Sequence, residues 1–352
     1  MSDLHPSKAL VTGATSGIGR AVALKLAADG FEVIVPRHST ARPSPRRLRM
    51  RSRPMFKALT LAVILLASAA NAGAQTGPAA SSPGLAVGPQ YDTTHVYVAP
   101  EDFDRFVTSF VATFGGSLSK QGVITVTPTP SSTMSQLVLT PVGTVSVFGF
   151  KTPVPYPFGV ERTGYLVKDL DAAVRAARAS GADVIVEPFN DPVGRDAVVQ
   201  WPGGVNMQLY WHTTAPSYAT LQTIPENRVY VSLGRAEAFI RSFLLFSGGS
   251  VVGDDAKAPG VEIGRPTDAY RRVRITSTFG NVAVLVTDGH LPYPYGRELT
   301  GYETSDLDAT LAKAKLAGVR VLVEPYSTDD RRSAFVQFPG GYIAEIHATV
   351  RK

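Results

Sequence analysis

Glu345 and His347 stand two positions apart in the last alternating stretch of the chain, so their side chains share one face of a strand. A carboxylate beside an imidazole suits proton transfer or metal ligation, and equally a hydrogen-bonded pair in a wall that does no chemistry. Gln208 and His212 share a strand face at i, i+4, and His95 sits in the alternating run 94–98. His290, in a Pro- and Tyr-rich loop, reads as surface or variable lining. Three further polar types recur without an evident folding duty: Glu161 and Glu298, Gln200 and Gln337, Arg195 and Arg332. The glutamates are expected to pair with Arg162 and Arg297, and the glutamines to satisfy neighbouring backbone.

These residues sit in a duplicated text. Residues 156–212 and 293–349 repeat each other 137 positions apart without a gap: Tyr156-Pro157 matches Tyr293-Pro294, Gly164-Tyr165 matches Gly301-Tyr302, and Asp169-Leu170-Asp171 matches Asp306-Leu307-Asp308. Glu187-Pro188 likewise matches Glu324-Pro325, and Pro202-Gly203-Gly204 matches Pro339-Gly340-Gly341. Upstream, His95, Phe106, Phe110 and Gly115-Gly116 match Arg228, Phe239, Phe243 and Gly248-Gly249 at a spacing of 133. One unit of about 120 residues, an ordinary domain size, was therefore doubled. Its scaffold residues persist in both copies while the chemistry-bearing ones diverge: His95 against Arg228, Gln208 against Glu345, Arg162 against Leu299. Two identical sites are not expected.

The net charge of +6 invites a nucleic-acid or anionic-membrane partner, but it is unevenly placed. Residues 1–74 hold 11 of the 35 Lys and Arg and 3 of the 29 Asp and Glu, so the remainder carries 24 against 26 and is nearly neutral. No nucleic-acid partner is expected. Within that leader a basic segment (50–57), an apolar run (58–70) and small residues (71–75) follow the order of a secretory signal peptide over 50–74. The run is too short for a membrane span, which needs roughly 20 residues. The expected product is a secreted or periplasmic protein with no stable span after cleavage. Residues 75–91, rich in Gly, Pro, Ser and Ala, read as a flexible linker, and with no cysteine in the chain stability must come from packing.

Residues 1–36 resemble the opening β-α-β of a short-chain dehydrogenase, with Gly13, Gly17 and Gly19 at the turn where a dinucleotide pyrophosphate would approach a helix N-terminus. The text then breaks off, and no Tyr followed four residues later by Lys occurs downstream. Residues 1–49 are therefore expected to be an upstream extension holding a partial Rossmann-like β-α-β. NAD(P) is not the expected cofactor, and a dehydrogenase is the least supported reading.

Inside each copy the periodicity predicts a strand (94–98, 227–231), a helix striped with Phe and closed by Gly-Gly, and short strands at 122–126, 135–140 and 143–150, with 261–264, 270–277 and 281–286 in the second copy. The pattern then restarts: strand 163–167, Asp169 as N-cap, helix 170–180 closed by Gly181, then strands 184–186, 196–201 and 205–211 about a Pro-Gly-Gly turn. Each copy thus holds two β-α-β-β-β modules, four in the chain.

That order, with Asp-Leu-Asp before a helix and Pro-Gly-Gly before the last strand, resembles the vicinal oxygen chelate superfamily, which includes glyoxalase I, extradiol dioxygenases and the bleomycin-resistance proteins. The resemblance covers about 93–349. It implies an α+β fold of four βαβββ modules paired into two cupped-sheet domains, 92–214 and 226–350, after a disordered or partly helical leader, and a monomer or homodimer. In that family the concave face holds a divalent metal or a small-molecule ligand on the first and last strands of the modules. Carried onto this chain, the implied metal ligands are His95, Gln208 and Glu345, with Glu345 also the implied catalytic residue. Arg162, Leu299 and Phe148 stand at other ligand positions and cannot ligate, so the divalent-metal centre is incomplete. The resemblance implies a lyase or dioxygenase relative that polarises substrate oxygens through a metal. The alternative is a metal-free module that sequesters an apolar small molecule, with the aromatic loops 156–158 and 293–295 as lids.

Overall fold

A computed structural model describes residues 84–328 and 330–350, together with two short strands nearer the N-terminus, β1 (Lys8–Leu10) and β2 (Glu32–Ile34). The chain divides into two compact units, Met1–Gly73 and Ala74–Lys352. In the first unit β1 pairs in parallel with β2, and the expected helix between them lies outside the described residues. Its glycine turn, the expected signal segment 50–74 and the linker up to residue 83 lie outside the described residues.

The second unit carries two mixed sheets. The first contains β3 (Thr93–Tyr97), β4 (Ser117–Leu118), β5 (Gly122–Ile124), β6 (Thr133–Thr140), β7 (Gly143–Phe150), β8 (Thr163–Leu166), β9 (Asp183–Asn190), β10 (Gly194–Trp201) and β11 (Val205–His212). The second contains β12 (Glu226–Ser232), β13 (Ser250–Pro259), β14 (Ala269–Ser277), β15 (Gly280–Thr287), β16 (Leu299–Glu303), β17 (Arg320–Ser327), β18 (Arg331–Gln337) and β19 (Ile343–Thr349). Their strand orders correspond: β4-β6-β7-β3-β8-β11-β10-β9, with β5 also on β6, and β13-β14-β15-β12-β16-β19-β18-β17. In every module the first strand runs parallel to the last, and the two first strands meet antiparallel at the sheet centre.

One helix precedes the meander of each module: α1 (Phe103–Phe114), α2 (Leu170–Ala179), α3 (Ala236–Ser247) and α4 (Leu307–Leu316). The Asp-Leu-Asp phrase works as expected. Asp169 accepts from the Ala172 amide and Asp306 from the Ala309 amide, both at 2.9 Å, which satisfies an otherwise orphaned donor at the start of α2 and α4. The repeated arginines also acquire a duty. Arg195 forks onto Asp171 at 2.9 and 3.0 Å, and Arg332 onto Asp308 at 2.8 and 3.2 Å, tying each helix to the strand beside it.

Strand alternation sends one set of side chains to the helices and the other to the opposite face. On the helical side the cores cross between copies. Phe106 and Phe110 of α1 pack on Phe338, and Phe110 also on Tyr302, joining the first module to the fourth. Trp201 packs on Phe243 and Phe246, and Tyr165 on Phe279, joining the second to the third.

One expected strand is corrected. Residues 261–264 do not extend; β13 ends at Pro259, and Gly260–Ile263 forms a 3-10 turn closed by Gly264 in the left-handed region at φ 75°. Gly260 is required there, because a Cβ would collide with the carbonyls of Arg265 and Asp268.

Candidate functional site: an open cup and a filled one

The face of the first sheet away from the helices is a cup enclosing a cavity of about 610 Å³. Alternation places Ser146 and Phe148 of β7, His95 and Tyr97 of β3, and Gln208, Tyr210 and His212 of β11 on this face, with Asp196 of β10 beside them. Register fixes their neighbours: His95 lies opposite Ser146, Tyr97 opposite Phe148, and Asp196 opposite Tyr210. The repeated glycine of β8, Gly164, has a reason here, since a Cβ at that position would collide with the His95 ring.

Aromatic rings form one wall. Phe148 stands edge-on to His95 at 5.3 Å and beside Tyr97 at 5.2 Å, and Phe158 from the Tyr-Pro loop also lines the cavity. Behind them Glu161 is fully buried, accepts a hydrogen bond from the Tyr97 hydroxyl, and lies 3.6 Å from His95 Nδ1. Burial and the neighbouring Glu161 push the Tyr97 hydroxyl well up. The expected pairing of Glu161 with Arg162 is therefore replaced by Tyr97 and His95, because Glu161 points inward while Arg162 faces Glu298 of the other copy. Those two, with Arg297, line a small cavity of about 130 Å³ at the junction of the copies. There burial raises the Glu298 carboxyl to about 8, against the pull of Arg162. The glutamines behave unequally: Gln337 reaches the Gly341 carbonyl at 3.4 Å, whereas Gln200 donates to the Asn206 side chain at 2.8 Å.

Asp196 is the buried carboxyl of this cup, only 5% exposed. Burial, with Asp191 adding to it, pushes it well above the usual carboxylate range, and a hydrogen bond from Gln208 works the other way. Burial likewise lowers His212 and favours its neutral form, with Asp191 opposing. Among the described residues no arginine lines this cavity, and the one lysine that does, Lys120, is exposed at the rim.

The second sheet presents the same face, but the chain itself fills it. Arg228, the counterpart of His95, is 4% exposed and lies 2.5 Å from Glu345, with its guanidinium over the Phe335 ring at 5.3 Å. The turn at Gly260–Ile263 drops across the cup. Its Glu262 accepts from Tyr270 and Arg272, and its backbone carbonyl accepts from Arg228 at 3.3 Å. Tyr295 of the second Tyr-Pro loop seals the far side by packing on Phe335 at 4.8 Å, while Tyr293 turns outward. Arg331 and Arg274 face Glu226 and Asp330. Burial disfavours a charged Glu345, but Arg228, His347 and Arg331 hold its carboxyl well below the usual range.

The structure therefore brings His95, Gln208 and His212 into one cup and Glu345 with His347, 3.8 Å apart, into the other. The three residues implied as metal ligands do not converge. Among the described residues no group of three or more His, Asp or Glu is placed to hold a metal ion, and the Glu345 carboxylate is already engaged by a guanidinium. Among the described residues the donor set does not fit a divalent metal. Among the described residues no helix is long and apolar enough to cross a membrane. Sequence reasoning missed Asp196, although aligning the copies sets it against Ser333 and so marks it as a residue that diverged along with His95 and Gln208.

No family model matches the chain, and no characterised protein matches it by sequence. Solved structures do resemble it. A variant of 4-hydroxymandelate synthase from Streptomyces coelicolor is 13% identical with a TM-score of 0.49, covering 74% of this chain and 92% of its own. A catechol 2,3-dioxygenase is 12% identical with a TM-score of 0.44, covering 76% and 90%. A Mn(II)-bound glyoxalase from Novosphingobium aromaticivorans is 13% identical with a TM-score of 0.43, covering 73% and 80%. In this chain four βαβββ modules are paired by strand order and register into two mixed sheets.

Proposed function

We propose that the protein binds a small organic molecule in the first cup, and that the second cup is a filled scaffold that binds nothing. The observation that carries this reading is the contrast between a cavity of about 610 Å³ on one sheet and a guanidinium locked against Glu345 at the equivalent place on the other. A concave, mainly apolar pocket of that size with a few convergent polar groups is the usual form of a small-molecule site. Phe148, Tyr97, Phe158 and Leu137 supply the apolar surface, and Asp196, Gln208 and His212 the polar contacts that would orient a ligand.

The test is fluorescence titration of the full chain with N-phenyl-1-naphthylamine, a neutral aromatic probe that brightens in apolar surroundings. Emission should rise and saturate at one probe per chain. Ser146→Trp, which places an indole in the cavity, should abolish the signal, and Leu316→Ala on the exposed outer surface should leave it intact. Equal binding by the Ser146→Trp chain would overturn the reading.

A further inference from the structure

The duplication supplies an internal comparison of what this architecture holds. In the filled cup a cation sits between an aromatic face and a carboxylate: Arg228 over Phe335 and against Glu345. In the open cup the position of Arg228 is taken by the shorter His95, and that of Glu345 by the neutral Gln208. A carboxyl is nonetheless present, because Asp196 stands on β10 where the second copy has Ser333. An aromatic face is present as well, from Phe148 and Tyr97. Among the described residues the cavity thus keeps the two partners of a buried cation and lacks an arginine at the position of Arg228 to supply it.

The other charges facing this space point the same way. Asp191 lies at the mouth, Glu161 is buried behind Tyr97 and His95, His212 is held toward its neutral form, and Lys120 is exposed at the rim. An anionic ligand would meet buried carboxyls with no guanidinium to receive it, whereas a cation would meet a carboxyl and aromatic faces together. Resting on the reading of the first cup as the ligand site, we infer that it takes an organic cation: an ammonium or guanidinium group on a flat apolar body, its charge at Asp196 and its body along Phe148 and Tyr97.

Three probes sharing one ring and differing in charge test this: tryptamine (cationic), tryptophol (neutral) and indole-3-acetate (anionic), measured by calorimetry and by displacement of N-phenyl-1-naphthylamine from the full chain. Tryptamine should bind at least roughly tenfold more tightly than tryptophol, the factor expected of one desolvated cation–carboxylate contact aided by a ring face, and indole-3-acetate should bind weakest. Asp196→Asn should bring tryptamine to within about twofold of tryptophol. Phe148→Leu should weaken tryptamine and tryptophol alike, because both lay the indole along that ring. Indole-3-acetate binding as well as tryptamine, three equal affinities, or a preference unchanged in Asp196→Asn would each overturn the inference. The unmodified chain decides the order of the three probes by itself, so a variant that fails to fold leaves the test in force. The naphthylamine signal depends on the cup and not on charge, so its absence overturns the binding reading, while its presence with no tryptamine preference overturns only the cationic class.

Discussion

Two cups built on one strand order and one pattern of glycines have opposite contents. The first sheet encloses a cavity walled by Phe148 and Tyr97, while the second buries Arg228, Glu262 and Glu345 in the same place, with Tyr295 packed on Phe335. Two local changes account for the difference. An arginine replaces a histidine at the first strand, and a 3-10 turn replaces an open connection. The scaffold tolerates both because the helical side carries the packing: the side chains that hold the sheets together point away from the cups. Divergence on the concave face leaves that core untouched.

The largest effect that separates the two cups is expected at Arg228. Arg228→Ala leaves Glu345 buried without its partner and should cost about 3–5 kcal/mol, lowering the melting temperature by about 10 °C for a unit of this size. His95→Ala, at the matching position of the open cup, loses an edge contact with Phe148 and should cost about 1–2 kcal/mol. Calorimetric unfolding of both variants decides the matter, and equal losses would break the distinction between a filled cup and an open one. Where the copies agree, their responses should agree too. Asp169→Ala and Asp306→Ala each remove one N-cap and should each cost about 1 kcal/mol, so a large disparity in denaturant midpoints would mean the scaffold is not shared.

A pH experiment sharpens the account of the junction. The Glu298 carboxyl is raised from 4.5 to about 8 in the folded chain, so folding retains a proton that the unfolded chain releases above its ordinary value. Its contribution is fully present below about 4.5, declines as pH rises, and is gone above about 8. Glu298→Gln should flatten that part of the stability profile, and an unchanged slope would show that another group is responsible. The smallest effect is expected at Arg195 and Arg332. Both pairs lie at the surface, so Arg195→Ala and Arg332→Ala should cause small and similar losses that vanish in high salt.

Much of this was legible in the chain. The repeat gave the module order, and Asp169, Asp306, Gly115 and Gly248 marked helix ends that the structure keeps. The concave face was less legible, because whether a polar residue there is free or paired depends on a partner far away in sequence. Glu161 meets Tyr97 and His95 rather than its neighbour Arg162, and Arg228 meets Glu345 more than a hundred positions later. The alternation of Val261 and Ile263 suggests a strand over 261–264 where the chain instead turns. The signal against it lay in Gly260 and Gly264, which bracket the segment. Asp196 does not stand out in the sequence, where it opens an apolar strand, and only its burial beside a cavity gives it meaning.

The crossing of the two cores bears on how the chain is made. Phe106 and Phe110 leave the ribosome well before the surface that covers them, which includes Phe338, more than two hundred positions later in the chain. The first module therefore cannot hide its aromatic stripe by folding alone as it emerges. Until residue 338 has emerged that stripe stays open to chaperones or to neighbouring nascent chains, and a ribosome stalled before it carries a chain that cannot close.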